Sequence, residues 1–313
     1  MSGLTDTRPH GARKQNAAWI SIASNTLLIT LKIVAGVVTG SVAIITEAVH
    51  SSVDLVASLV AYFSVRKADE PADESHPYGH EKVENLAAAF EGVLIVLGAG
   101  IIIFEALNKL TGEAKVEKIG FGIVVIGVSA VANFIVSAFL YRRARETDSP
   151  ALQGDAAHLR TDSITSLGVL VALALVAITC VDELDAIAAL VVAVAIVFSG
   201  VRLVSRSSRV LVDEALPEDE IRAVAEAIEG VGAAEVIGFH KIRARRGGSR
   251  RYVDLHVQFR RGTSLERAHD VSHALQAAIQ DRLAHADVLI HLEPEDAADA
   301  PASDSPRRSL SAG

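Results

Sequence analysis

The hydrophobic and polar positions of this chain divide it into two unlike parts. From residue 17 to about 205, runs of Ala, Val, Leu, Ile and Gly recur between short polar breaks. A bilayer core takes about 20 apolar residues per helix. Six runs meet that length, at roughly 17–38, 41–65, 85–108, 119–141, 157–180 and 185–204. Beyond Val210 the pattern shortens. PEDEIRAVAEAIEG reads as an amphipathic helix ended by Gly230. VIGFHKIRAR and RYVDLHVQF alternate like paired strands turning at Gly247 and Gly248. SLERAHDVSHALQAAIQDRL predicts a helix with Ser264 as N-cap, and ADVLIHLEP a third strand. The fold class is therefore an α-helical membrane protein with six transmembrane helices and a small α+β domain ordered α-β-β-α-β. That domain, at about 85 residues, is large enough to fold independently. The expected boundaries are a polar segment at 1–16, the helical domain at 17–209, the α+β domain at 210–295 and a disordered tail at 296–313.

Composition sharpens this picture in three places. The chain of 313 residues is 50% hydrophobic, but its mean hydropathy of +0.34 averages two opposite halves. The first run follows the polar MSGLTDTRPHGARKQN without a cleavage pattern, so it predicts a retained helix. Arg8, Arg13 and Lys14 precede the first run, and Arg66 and Lys67 follow the second. Arg142, Arg143 and Arg145 follow the fourth, and Arg202, Arg206 and Arg209 the sixth. The positive-inside rule then puts both termini in the cytoplasm, against one vote from Lys109, Lys115 and Lys118 in the 3–4 loop. The sole cysteine, Cys180, excludes an intramolecular disulfide and a Cys-rich zinc site. Arg243, Arg245, Arg246, Arg250 and Arg251 crowd the hairpin RARRGGSRR. Without interleaved aromatics they argue against nucleic acid, and suit anionic lipid or a solvated turn.

The chemistry lies in one spacing that occurs twice. His50 and Asp54 sit in the second run, His158 and Asp162 in the fifth. Residues four apart share a helix face. Two such faces together offer two nitrogens and two oxygens, a tetrahedral set for a divalent metal. A single pair could be a polar contact between helices. Four ionisable groups at membrane depth, each costing at least about 2.5–3.5 kcal/mol to insert, mark a path for metal or protons. Asp155 is either a cation attractor at the inner mouth or an interfacial helix-entry acid. Mixed nitrogen and oxygen ligation suits Zn²⁺, with Fe²⁺, Co²⁺, Cd²⁺ and Mn²⁺ as alternative cargo. Neutral imidazole binds metal and imidazolium does not, so metal and protons compete, and alternating access around the site would give antiport.

Two further groups of residues could hold metal. The loop RKADEPADESHPYGHEKVE carries Asp73, Glu74, His76 and His80, with a solvated charged loop as the plain alternative. The α+β domain holds six of the eleven histidines. His240, His256 and His291 each fall in a predicted strand, with Glu293 close behind, while His273 and His285 are expected to be idle. Rival functions are a passive channel, a membrane-anchored metal sensor and an intramembrane metalloenzyme. The last is disfavoured by the absence of HExxH.

TGSVAIITEAVHSSVDLVASL, PADESHPYGHEKVENLAAAFE, DAAHLRTDSITSLGVLVAL and VDEALP resemble the cation diffusion facilitator family over residues 15 to 295. The resemblance implies a homodimeric, proton-coupled exporter of divalent metal, not an enzyme, in a bacterial-type inner membrane. It implies transport ligands at His50, Asp54, His158 and Asp162, and a loop site at Asp73, His76 and His80. It also implies cytoplasmic ligands at His240, His256, His269, His291 and Glu293, and an interdomain charge pair of Lys82 with Asp213. The implied partners are a second copy, the bilayer and metal ions, with no nucleic acid. Zn²⁺ would be cargo and regulatory ligand, and protons the counter-ion. Two positions depart from the family pattern: Lys241 stands where some members place a carboxylate, and Glu293 where Asp is frequent. They imply fewer or weaker cytoplasmic metals.

Overall fold

The computed structural model describes residues 8–39, 42–110, 122–179, 183–295 and 308–309. It divides into two compact units, residues 1–209 and 210–313. The 3–4 loop and Cys180 lie outside the described residues.

The first unit is a bundle of α1 (Arg8–Thr39), α2 (Val42–Ala68), α3 (Lys82–Leu110), α4 (Gly122–Thr147), α5 (Pro150–Thr179) and α6 (Glu183–Leu211). Several helices outrun their apolar stretches, because backbone hydrogen bonding ends a helix where hydropathy does not. At the end of α4, Arg142 and Arg143 both pair with Glu146, at 2.9 and 2.7 Å, carrying the helix through polar sequence. Asp148, at φ 49°, turns the chain sharply, and Pro150 opens α5 where its missing N–H costs nothing.

The solvent this bundle expects is written in its packing. On α1 the buried side chains include Lys14, Ala17, Ala18, Ser21, Ile22, Asn25, Leu28 and Lys32, a stripe of mostly small and polar groups. Leu27, Leu31, Val34 and Val38 point outward, as do Phe104, Ile178 and Phe198 elsewhere. Small and polar inside with large and apolar outside is the arrangement of helices packed in lipid. Ala12–Val38, Lys82–Asn108 and Ala186–Leu211 are long and apolar enough by themselves to cross a bilayer. α2 and α5 carry the ionisable pairs.

The second unit has the opposite polarity. It comprises α7 (Glu218–Val231), β1 (Val236–Gly247), β2 (Arg250–Phe259), α8 (Leu265–Arg282), β3 (Ala286–Pro294) and β4 (Arg308–Ser309). The sheet order is β3-β2-β1-β4. β1 and β2 form an antiparallel hairpin, while β2 and β3 run parallel, so α8 makes the crossover. Val224 and Ile228 of α7 and Leu275 and Ile279 of α8 close over Val253, Leu255 and Val257. Ser264 caps α8 by accepting from the Arg267 N–H at 3.2 Å. Two sequence expectations change. α7 stops at Gly232, not Gly230, because Gly232 takes the left-handed conformation at φ 60° that terminates a helix. The tail expected to be disordered also contributes β4, whose Arg308 and Ser309 pair antiparallel with Phe239 and Gly238.

Candidate metal sites

Asp54 of α2 and His158 and Asp162 of α5 converge inside the bundle. His158 Nε2 lies 3.1 Å from Asp54 Oδ1 and 3.9 Å from Asp162 Oδ2. One donor atom from each of the three falls within 4.8 Å of the others, close enough to share an ion. Asp54 and His158 are both buried. His50 is one turn before Asp54 on α2, and its side chain lies outside the described ones. A polar scaffold holds the helices around this point. Ser58 donates to Asp155 Oδ1 at 2.9 Å, Asn25 Nδ2 donates to Ser58 Oγ at 2.8 Å, and Ser21 and Ser58 share a hydroxyl contact at 2.9 Å. Asp155 is thus wholly enclosed, on the second turn of α5, which begins at Pro150 ahead of the apolar run.

In the loop between α2 and α3, Asp73 gathers its neighbours. Its Oδ1 accepts from Ser75 Oγ at 2.7 Å and from the His76 and Ser75 N–H groups at 2.7 and 2.9 Å. The Ser75 hydroxyl first, and then the His76 backbone, hold the Asp73 carboxyl well below its usual range. Its Oδ2 lies 3.2 Å from the buried His80 Nε2, and the His76 and His80 rings stand 4.5 Å apart. Asp73, His76 and His80 form a second possible metal cluster.

The third cluster follows from strand register. His240 pairs with His256 across the antiparallel hairpin, and His256 with His291 across the parallel pair. Directly opposed residues share a sheet face, and Glu293, two positions beyond His291, returns to it. Glu293 lies 2.5 Å from His256 Nδ1, 3.2 Å from His240 Nε2 and 3.9 Å from His291 Nε2. Burial pushes the Glu293 carboxyl up, but the His256 hydrogen bond and the charges of His240, His256 and Lys241 bring it below its ordinary value. Lys241 occupies a left-handed position, φ 51°, at the irregularity in β1 directly after His240. His269 stands apart: on the exposed side of α8 its Nε2 lies 3.1 Å from that of His273. His285 turns the chain between α8 and β3 at φ 57°.

The basic hairpin is largely neutralised. Arg246 and Arg251 both hold Glu220, the latter at 2.6 Å, Arg245 holds Asp213 at 2.9 Å, and Arg243 faces Asp254 at 3.5 Å. Burial raises the Glu220 carboxyl, and the two guanidinium hydrogen bonds more than reverse it. A depressed carboxylate stabilises the fold above its unfolded pKa and loses that contribution as pH falls through its folded value. Full-length protein should therefore melt higher than Glu220→Gln above about pH 4.5, with the gap closing in more acid solution. Circular-dichroism melts between pH 3.5 and 7 check this. A gap that ignores acid would show that Glu220 acts through packing alone.

Sequence reasoning gave no site role to four buried ionisable residues, Lys14, Glu84, Lys32 and Glu91. Lys14 and Glu84 form an ion pair at 2.9 Å, joined by Ser149. Lys32 donates to Ser51 Oγ at 2.7 Å. Glu91 is fully enclosed within α3. Each interrupts an apolar or helix-entry stretch, and a lone charge in such a run was the available signal.

A helical bundle that is apolar outward and carboxylate–imidazole inward, followed in the chain by a soluble α+β domain with its own cluster, defines a membrane protein that handles metal cations. Residues 18–212 match the cation efflux transmembrane domain, and residues 216–295 the cytoplasmic domain of cation efflux proteins. The chain belongs to the cation efflux family, the cation diffusion facilitators, and is a transporter of divalent metal, not an enzyme. An uncharacterized transporter of Synechocystis sp. is 32% identical over 88% of this chain and 89% of the relative. The cation-efflux pump FieF of Pectobacterium atrosepticum is 33% identical over 91% of this chain and 95% of the pump. FieF of Yersinia pestis is 34% identical over the same shares. A solved structure described as "Mode of Action of a Putative Zinc Transporter CzrB" aligns with 26% of this chain and 98% of that one, at 26% identity and a TM-score of 0.25.

Proposed function

We propose that this protein exports Zn²⁺ from the cytoplasm in exchange for protons, as a homodimer in the inner membrane with both termini cytoplasmic. The observation that supports this most is the buried convergence of Asp54, His158 and Asp162, with His50 one turn before Asp54. Two imidazoles and two carboxylates form a donor set matched to tetrahedral Zn²⁺. The same imidazoles hold protons when metal leaves, so one set of side chains serves both ions on alternate faces of the membrane. Asp73, His76 and His80 would hold a second ion near the cytoplasmic surface. His240, His256, His291 and Glu293, with His269 by family position, would sense cytoplasmic metal. Lys82 with Asp213 would tie the two domains together.

The test is metal uptake into proteoliposomes containing the purified protein and a pH-sensitive dye. Zn²⁺, Cd²⁺, Co²⁺, Fe²⁺ and Mn²⁺ are compared in parallel. Zinc movement coupled to opposite proton movement supports the proposal and ranks the metals. Metal flux without proton movement makes the protein a channel. No flux for any metal leaves the sensor as the better reading.

A further inference from the structure

Glu91 has no place in the four-residue site, yet it is among the most enclosed side chains of the bundle, at 0% exposure. Neither of its carboxylate oxygens has a hydrogen-bond partner among the described residues. A buried carboxylate left unsatisfied is costly, and such a group calls for a specific cause.

Its position supplies one. Glu91 packs against Gly154 of α5 so closely that a Cβ there would stand 3.1 Å from Glu91 Cγ and 3.2 Å from its Cβ. Gly154 and His158 are four residues apart on the same face of that helix. The missing side chain at Gly154 therefore lets Glu91 lie along the face that carries the transport-site imidazole. Glu91 is in electrostatic reach of His158, and of Asp155, Asp162 and Asp54.

His158 has the complementary deficiency. Its Nε2 faces Asp54 and Asp162, while its Nδ1 is buried with no hydrogen-bond partner among the described residues. An imidazole that ligates metal through Nε2 is neutral and carries its proton on Nδ1. Ligating histidines almost always donate that second N–H to a carboxylate, carbonyl or water. Asp155 is the other nearby acid. Ser58 holds its Oδ1 toward α2 at 2.9 Å, while its Oδ2 is buried with no hydrogen-bond partner among the described residues, which is why Asp155→Asn belongs in the test. Glu91 is the carboxylate with both oxygens uncommitted.

We propose that Glu91 is a positioning residue for transport. It accepts the Nδ1 proton of His158 when Nε2 holds the cation, and so fixes the ring's tautomer and direction. This rests on the transport reading of His158.

Zinc uptake into proteoliposomes is measured against zinc concentration for the native dimer, Glu91→Leu, Glu91→Gln and Asp155→Asn. Glu91→Leu should raise the half-saturating zinc concentration roughly 10- to 100-fold, with a smaller change in maximal rate. Glu91→Gln, whose amide oxygen still accepts a hydrogen bond, should stay within a few-fold of native. Half-saturation unchanged in Glu91→Leu overturns the proposal. So does a deficit in Glu91→Gln equal to that of Glu91→Leu, or a shift seen only in Asp155→Asn. Should Glu91→Leu fail to fold, Glu91→Gln and a zinc-loaded structure of the native dimer decide. A Glu91 oxygen farther than about 3.5 Å from His158 Nδ1 in that structure overturns the assignment. A native protein inert to every metal would instead count against the transport reading, and the zinc-loaded structure would still judge Glu91.

Discussion

Asp54→Ala should reduce metal exchange to the rate of empty liposomes while the protein remains folded. Asp54 supplies the carboxylate nearest the His158 ring, from the opposite helix. Disturbing a residue that merely orients a ligand costs about 10- to 100-fold in metal affinity, and losing the ligand itself costs more. Stability should move the other way. A buried acid in a membrane helix costs about 2.5–3.5 kcal/mol on insertion scales, and Ala does not. Thermal stability of the purified protein in detergent should therefore match or exceed native as transport disappears. Transport retained in Asp54→Ala would remove Asp54 from the cation path. Transport and fold lost together would make it a structural polar contact.

Gly200→Leu should have the opposite signature, with the bundle itself failing. α3 and α6 cross at Gly92 and Gly200, and each glycine faces the other's carbonyl. A Cβ at Gly200 would stand 3.0 Å from Gly92 O and 2.8 Å from Val96 Cγ2, and a Cβ at Gly92 would stand 3.0 Å from Gly200 O. A flexible side chain could yield to such contacts, whereas a carbonyl in a helix yields only if the helices part. Overpacking costs about 1–3 kcal/mol where side chains can shift, so this backbone contact should exceed that. Gly92 adjoins Glu91, so separating the helices would also displace that carboxylate. Gly100→Ala is the control, because no neighbour lies within 4 Å of its added Cβ. The fraction of monodisperse protein recovered after mild heating checks the pair. Equal recovery of both variants would mean that the helices can part at little cost.

Local spacing carried much of this organisation. The α5 pair needs only the helical period to place His158 and Asp162 on one face, and the stop of each apolar run locates its helix to within a turn or two. What escaped depends on partners distant in the chain. His240, His256, His291 and Glu293 were legible as candidates for one cluster, but which of them stand directly opposed follows from strand register, which no single strand encodes. The basic hairpin looked like a charged patch because Glu220 and Asp213, which neutralise much of it, precede it by more than twenty residues. Asp155 was open to two readings because its apolar run starts at 157, whereas Pro150 starts the helix earlier and the residue is enclosed by neighbours from other helices. Glu91 was one acid in a long apolar run, and its meaning depends on the unsatisfied ring nitrogen of another helix. Gly230 and Gly232 are equivalent as residues, and only the left-handed turn at Gly232 separates them.

The histidine and glutamate row across β1, β2 and β3 also bears on how long the protein lasts in a cell. An ion bound there would clasp three strands drawn from positions 240 to 293, making the sheet harder to pull apart. Any ligand that binds only the folded form adds stability by mass action, about 2.7 kcal/mol at a hundredfold excess over its dissociation constant. Proteases that act on transiently opened chains would then clear the metal-poor protein faster than the metal-rich one. Abundance of the pump would rise with the supply of its cargo, through degradation alone and without any change in gene expression.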